Sequence, residues 1–144
     1  MHFITGGAFN GKRSWVSKNY GVKIEGQWLS AYNGIRFPVN LSDVNHDVIV
    51  LEGIELWVKE LTKQYDSGRC REIWNRYLAD WLSWEQEKAE RKVIVIGTDI
   101  TKGIVPMEEE NRVWRDVTGW AYQDLAAISA KVDVIWYGLN QTIK

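Results

Sequence analysis

The chain has 144 residues, 45% hydrophobic and 26% charged, with 18 Lys and Arg against 19 Asp and Glu, for a formal net charge of −1. A chain of about 150 residues buries roughly 70% of its unfolded surface, so one core and one domain over residues 1–144 are expected, and the balanced charge lacks the broad positive field of a nucleic-acid binder. The lone Cys70 has no partner for an internal disulfide, no stretch has the layout of a secretory signal, and no apolar run approaches the roughly 20 residues of a membrane span. A cytoplasmic protein without membrane insertion is expected.

In chain order, Met1 to Thr5 reads as a short apolar strand, followed by the glycine-rich turn Gly6-Gly7-Ala8-Phe9-Asn10-Gly11 and a helix from about Lys12 to Asn19. The segment from Tyr20 to Asn45, with Gly21, Gly26, Gly34 and Pro38, reads as loops around one short strand at Val22 to Glu25. Val48-Ile49-Val50-Leu51 and Val93-Ile94-Val95-Ile96 are β-branched runs without alternation, the pattern of strands covered on both faces in a parallel sheet. Between them Ile54, Trp57, Val58 and Leu61, and then Ile73, Trp74, Tyr77, Leu78, Trp81 and Leu82, recur at helical spacing. A third helix is expected from about Glu109 to Ala130, with Val113, Val117, Trp120, Ala121 and Leu125 on its buried stripe and Glu108, Glu109 and Glu110 near its positive end. Val132 to Tyr137 reads as a last strand. Strands alternating with helices give an α/β fold, a mainly parallel sheet between two helical layers.

The strand, glycine turn and helix at the N-terminus carry the pattern Gly6-x-x-x-x-Gly11-Lys12. Such a turn bends closely around an anion, the helix start aims N–H groups at it, and the lysine neutralises charge. Gly6, Gly7, Ala8, Phe9, Asn10, Gly11, Lys12, Arg13 and Ser14 are therefore the candidate nucleotide-binding residues. The position after Lys12 is where a Ser or Thr hydroxyl holds magnesium in P-loop proteins; here it is Arg13, with Ser14 one place later. Either Ser14 serves instead, or the metal is held otherwise, or phosphate is bound without transfer. Glu52, at the end of an apolar strand, is the candidate acid for orienting magnesium, with a carboxylate that caps the following helix as the alternative; Ser14 and Glu52 are then the candidate metal pair and Lys12 and Glu52 the candidate catalytic pair. Glu55, one helical turn on, is expected at the surface, as is His46. The tryptophans at helical spacing, Trp57, Trp74, Trp81 and Trp84, are expected in the core or a subunit contact, while Trp15, Trp28 or Trp114 offer stacking surfaces.

The carboxyl-terminal third adds a more specific pattern. Thr98-Asp99-Ile100-Thr101-Lys102-Gly103-Ile104-Val105-Pro106, then Arg112, Arg115-Asp116, Gly119, Gln123, Leu125-Ala126-Ala127 and Val132-Asp133-Val134 resemble a stretch of the adenosylcobinamide kinase/adenosylcobinamide-phosphate guanylyltransferase family. Gly6-Gly7-Ala8 with Gly11-Lys12 is similar to that family's phosphate loop, and Val50-Leu51-Glu52-Gly53 to its second strand end. The resemblance implies a P-loop NTPase-like three-layer fold, ATP or GTP and Mg2+ as cofactors, and phosphorylation of adenosylcobinamide in cobalamin biosynthesis or salvage. It also implies a corrinoid substrate and a homo-oligomer, a trimer. Asp99, Arg112 and Arg115 match family positions and become further phosphate or substrate candidates, with an Arg115–Asp116 ion pair as the alternative. The family's His-x-x-Arg-Arg-x-x-x-Trp motif, which carries GMP, has no counterpart in the shortened region before Val48, which removes the support for guanylyl transfer. Three readings follow: a cobinamide kinase, a kinase of another small alcohol, or a nucleotide-binding homologue without catalysis that acts as a regulatory or partner protein.

Overall fold

The β-branched runs of the sequence lie side by side in one sheet. In the computed structural model, which describes residues 1–22 and 27–144, the strands are β1 (His2–Thr5), β2 (Trp28–Ser30), β3 (Val48–Glu52), β4 (Lys92–Ile96), β5 (Lys131–Trp136) and β6 (Leu139–Thr142), in the order β2-β3-β4-β1-β5-β6. Every pairing is parallel except β5 with β6. These last two form a hairpin whose turn, Tyr137 and Gly138, has positive φ at both residues (49° and 79°), the requirement of a tight two-residue connection that follows strand twist. The sequence reading takes Val132 to Tyr137 as the last strand; β6 is an additional strand beyond it. The strand expected at Val22 to Glu25 falls on residues that lie, after Val22, outside the described ones; the described strand of that region begins at Trp28.

Among the described residues four helices complete the fold: α1 (Lys12–Tyr20), α2 (Ile54–Gln64), α3 (Ser67–Gln86) and α4 (Glu109–Ile128). Alternate strand residues face opposite layers. Phe3, Ile49, Leu51, Val93, Val95 and Val132 pack with Trp57, Trp74, Leu78, Trp81 and Leu125 of α2, α3 and α4. Ile4, Val50, Ile94, Ile96 and Ile135 pack with Val16 of α1 and with Trp28. The strands are thus buried on both faces, as their unbroken apolar runs require, and the architecture is α/β with three layers, consistent with a P-loop NTPase-like fold.

Tryptophans explain how the segment from Ile35 to Pro38, which has no regular structure, is held. Trp57 Nε1 donates to Ile35 O at 2.8 Å and Trp81 Nε1 to Pro38 O at 3.0 Å, while Phe37 stacks on Trp81 with ring centroids 5.4 Å apart. Each indole satisfies its own donor and a loop carbonyl that burial would otherwise strand. Trp57, Trp74, Trp81 and Trp84 are all core residues. On α4 the buried stripe runs through Val117, Thr118, Ala121 and Leu125. Trp120 falls at the edge of that stripe and is 39% exposed, so its expected burial is corrected.

Candidate functional site

Because β1 to β5 are parallel, their carboxyl ends open on one edge of the sheet, where ligands of open α/β sheets are bound. The chain leaves β1 into the glycine turn, leaves β2 into a 3₁₀ turn at Ala31–Asn33, and leaves β3 and β4 at Glu52 and Ile96. The ladder continues one step beyond the strands: Gly97 N donates to Ile4 O, Gly53 N to Ile96 O and Asp99 N to Gly6 O, each at 3.0 Å. These bonds bring the loop, Tyr32, Glu52, Glu55 and Thr98 to one place.

The loop is shaped by its glycines. Gly6 has φ 135°, and a Cβ there would meet Ile135 O at 2.3 Å, so only glycine lets β1 turn against β5. Gly11, in the left-handed region at φ 88°, is the N-cap of α1, which has no side-chain cap; the first amides of the helix are left for an external acceptor. Asn10 anchors the far side of the turn, its backbone oxygen accepting from Gly138 N at 2.8 Å and its Oδ1 from Tyr137 N at 3.2 Å. Lys12 is 8% exposed. Its Nζ donates to Gly6 O at 3.1 Å and Gly7 O at 2.7 Å, closing the loop on itself. Burial pulls the Lys12 ammonium below the ordinary lysine range, against the opposing field of Glu55, Glu52 and Asp99. Phe9, with φ 57°, stands fully in solvent and does not fill the pocket.

Ala8, Phe9, Asn10, Gly11, Lys12, Arg13 and Ser14 line a cleft of about 970 Å³ whose opposite wall is Trp28, Tyr32, Glu52, Ile96 and Thr98. Glu52 is 5% exposed. Its Oε2 accepts from Trp28 Nε1 at 2.8 Å, and its Oε1 is 4.0 Å from Arg13 Nε. The guanidinium carbon of Arg13 lies 5.1 Å from the centre of the Trp28 ring. Trp28, named from the sequence as a stacking surface, thus holds a side chain of the protein itself.

The Ser14 and Glu52 pair does not suit a magnesium ion. Magnesium asks for oxygen donors in near-octahedral order, whereas both oxygens of Glu52 already face donors or a cation, and Ser14 is exposed on the first turn of α1 beyond Arg13. Among the described residues no cluster of three or more His, Cys, Asp or Glu is placed to hold a metal.

Glu55 corrects the sequence reading most. It is 3% exposed and accepts from the Tyr32 hydroxyl, from Thr98 N at 3.0 Å and from the Tyr122 hydroxyl at 3.2 Å. Gly97 makes room for this, because a Cβ there would lie 2.3 Å from the Tyr122 hydroxyl. Burial first, and then the Glu55 charge, push the Tyr122 hydroxyl well above the usual phenol range, so it remains a donor. Its partners lie 23, 43 and 67 residues away along the chain, so no local pattern in the sequence marks it.

The remaining candidates hold the segment after β4. Asp99 Oδ1 accepts from Thr101 N at 2.9 Å and Thr101 Oγ1 at 2.7 Å, and Asp99 Oδ2 is 3.4 Å from Lys102 Nζ. Arg112 donates to the carbonyls of Pro106 (3.2 Å) and Met107, and Arg115 to that of Thr101 and, at 3.4 Å, of Gly103. Neither arginine lines the cleft, and among the described residues Arg115 is bonded to this loop and not to Asp116. His46 is exposed, as expected.

A sharp glycine turn capped by a buried lysine at the mouth of a parallel sheet defines the class: an α/β protein of P-loop type. The sequence model for cobinamide kinase / cobinamide phosphate guanyltransferase matches residues 25–143, and the chain belongs to that family. A similar protein is the bifunctional adenosylcobalamin biosynthesis protein CobU of Escherichia coli (strain K12), 26% identical over 117 residues covering 72% of this chain and 62% of that protein. The chain therefore spans less than two thirds of that relative's length. The residues that the family model matches include Glu52, Glu55, Asp99, Arg112 and Arg115; the Gly6 to Lys12 loop precedes them, and its reading rests on its own geometry.

Proposed function

We propose that the chain, as one nucleotide-binding domain over residues 1–144, binds ATP or GTP through Gly6 to Ser14 and phosphorylates the hydroxyl of a cobinamide-type corrinoid in the cytoplasm. The observation that supports this best is the Lys12 ammonium folded onto Gly6 O and Gly7 O beside buried Glu52 in an open cleft. Phosphoryl transfer is mostly positioning and charge stabilisation. In this reading the loop amides and Lys12 fix and neutralise the transferring phosphoryl group, while the wall of Trp28, Tyr32 and Thr98 faces the acceptor. Guanylyl transfer is left out, because it needs a nucleophile and the exposed loop residue His46 lies outside the cleft lining.

A second reading, a nucleotide-binding homologue without catalysis, is favoured by Arg13 beside Glu52. The two separate in one assay. Purified protein is incubated with ATP or GTP, magnesium and adenosylcobinamide, and phosphorylated corrinoid and protein-bound GMP are measured. Phosphorylated product without bound GMP supports the kinase, nucleotide binding without product supports the homologue, and a Lys12→Ala variant that binds as well as the parent removes both. A homo-oligomer, a trimer, is also proposed; exposed Ile104 and Met107 (97% and 91%) give it apolar surface, and sedimentation equilibrium tests it.

A further inference from the structure

Metal-assisted phosphate loops place a small hydroxyl directly after the lysine, so that a divalent ion sits between phosphate oxygens and a strand-end acid. Here that place belongs to Arg13. A guanidinium carries the same sign as the metal and offers fork-shaped donors that match phosphate oxygens. It is also held in position: its carbon lies 5.1 Å from the centre of the Trp28 ring, its Nε is 4.0 Å from Glu52 Oε1, and Trp28 is itself tied to Glu52 Oε2 at 2.8 Å. Glu52, the acid that would attract a metal, thereby already faces a cation of the chain. Arg13 remains 45% exposed at its side chain, on the cleft side, where a phosphate would reach it.

We propose that Arg13 stands in for the divalent ion, so that this loop takes metal-free nucleoside triphosphate. Lys12, Arg13 and the first amides of α1 neutralise the phosphates; Glu52 and Trp28 act as positioning residues that keep the guanidinium aimed. The inference rests on the nucleotide reading above and extends it to the form of the ligand. It also accounts for Ser14, which is not required as a metal ligand.

Calorimetric titration with ATP, in EDTA and in excess magnesium, tests it on the parent chain and on Arg13→Ser, Arg13→Lys and Lys12→Ala, each first confirmed as folded by circular dichroism. The parent is expected to bind ATP in EDTA at least as tightly as with magnesium. Arg13→Ser is expected to weaken metal-free binding by roughly 10- to 100-fold, the loss of one charge-assisted hydrogen-bonded contact, with magnesium restoring part of it, and Arg13→Lys to fall between. A parent that binds ATP only with magnesium overturns the substitution of metal by arginine and leaves the loop reading standing, as does an Arg13→Ser affinity in EDTA equal to the parent's. A parent that binds ATP under neither condition overturns the loop reading and this inference together.

Discussion

Gly6 can be tested for two separate demands, a left-handed backbone and closeness to a neighbouring strand. At φ 135°, a Gly6→Ala change forces an L-residue into a region that costs on the order of 1–3 kcal/mol, and its methyl would sit 2.3 Å from Ile135 O. A carbon and a carbonyl oxygen approach to about 3.3 Å at closest, so β1 and β5 must separate locally by about 1 Å. Ile135 is fully buried, and such overpacking costs typically 1–3 kcal/mol. Together the change is worth about 4 kcal/mol, or a fall in Tm of roughly 10 °C for a chain of this size. Gly103→Ala is the matched control: φ is 98°, but nothing lies within 4 Å of the added methyl, so only the backbone cost of about 1–3 kcal/mol remains. Scanning calorimetry of both variants, with ATP titrated into each, gives the comparison. Gly6→Ala is expected to lose ATP binding and more stability than Gly103→Ala; if it melts with the parent and binds ATP undiminished, the loop is not built as described.

Glu55→Gln keeps the shape of the side chain but aims an amide N–H at one of the donors Tyr32, Thr98 N or Tyr122; a loss of about 1.5–3 kcal/mol in urea unfolding is expected. Trp74→Ala removes a side chain 1% exposed together with its bond to Ala121 O at 2.9 Å, and its cost in the same assay is expected at about 3–5 kcal/mol. Asp133 is fully buried; burial pushes its carboxyl up, but bonds from Thr142, Asn140, Lys131 and His2 outweigh this and hold it at about 2, against an ordinary 3.8. Its folded pKa being the lower one, the stability it adds is complete above pH 3.8 and is lost as pH falls through about 2, amounting to about 2 kcal/mol at 1.36 kcal/mol per unit. Acid titration of the unfolding free energy checks this, with Asp133→Asn expected to flatten that window.

What the sequence made legible follows from what its patterns encode. The unbroken runs at Val48 and Val93 announced strands covered on two faces, and the glycines with Lys12 announced the turn, because a local backbone requirement leaves a local signature. Long-range convergence leaves none. Glu55 reads as an exposed helical acid until Tyr122, from α4, and Tyr32, from the turn after β2, are seen to meet it, 67 and 23 residues away along the chain. Arg112 and Arg115 read as phosphate ligands because guanidinium groups suit phosphate, yet carbonyl oxygens suit them too, and the loop from Thr101 to Met107 supplies those. The β6 hairpin was hidden for another reason: all four of its residues are exposed, so no apolar alternation marks it, and only the positive φ at Tyr137 and Gly138 defines the turn.

The position after Lys12 shows how a one-residue change redirects a site without disturbing its frame. α1 begins at Lys12 whether a hydroxyl or a guanidinium follows, since its cap is Gly11 and its first amides need no side chain. The frame therefore tolerates Arg13, but the charge balance does not stay the same. Lys12 and Arg13 now face Glu52 and Glu55, two cations against two buried acids, where a metal-dependent loop would bring one cation of its own and borrow the rest from solution. A carboxylate as buried as Glu52 is costly unless paired, and the Arg13 and Trp28 contacts supply that pairing before any ligand arrives. Removing Arg13 should consequently weaken the anion site and leave Glu52 short of a partner at once, which makes Arg13→Ser a test of both and the double change Arg13→Ser with Glu52→Gln its control. If the double variant recovers stability but not metal-free ATP binding, the arginine serves the ligand directly and not only its neighbour.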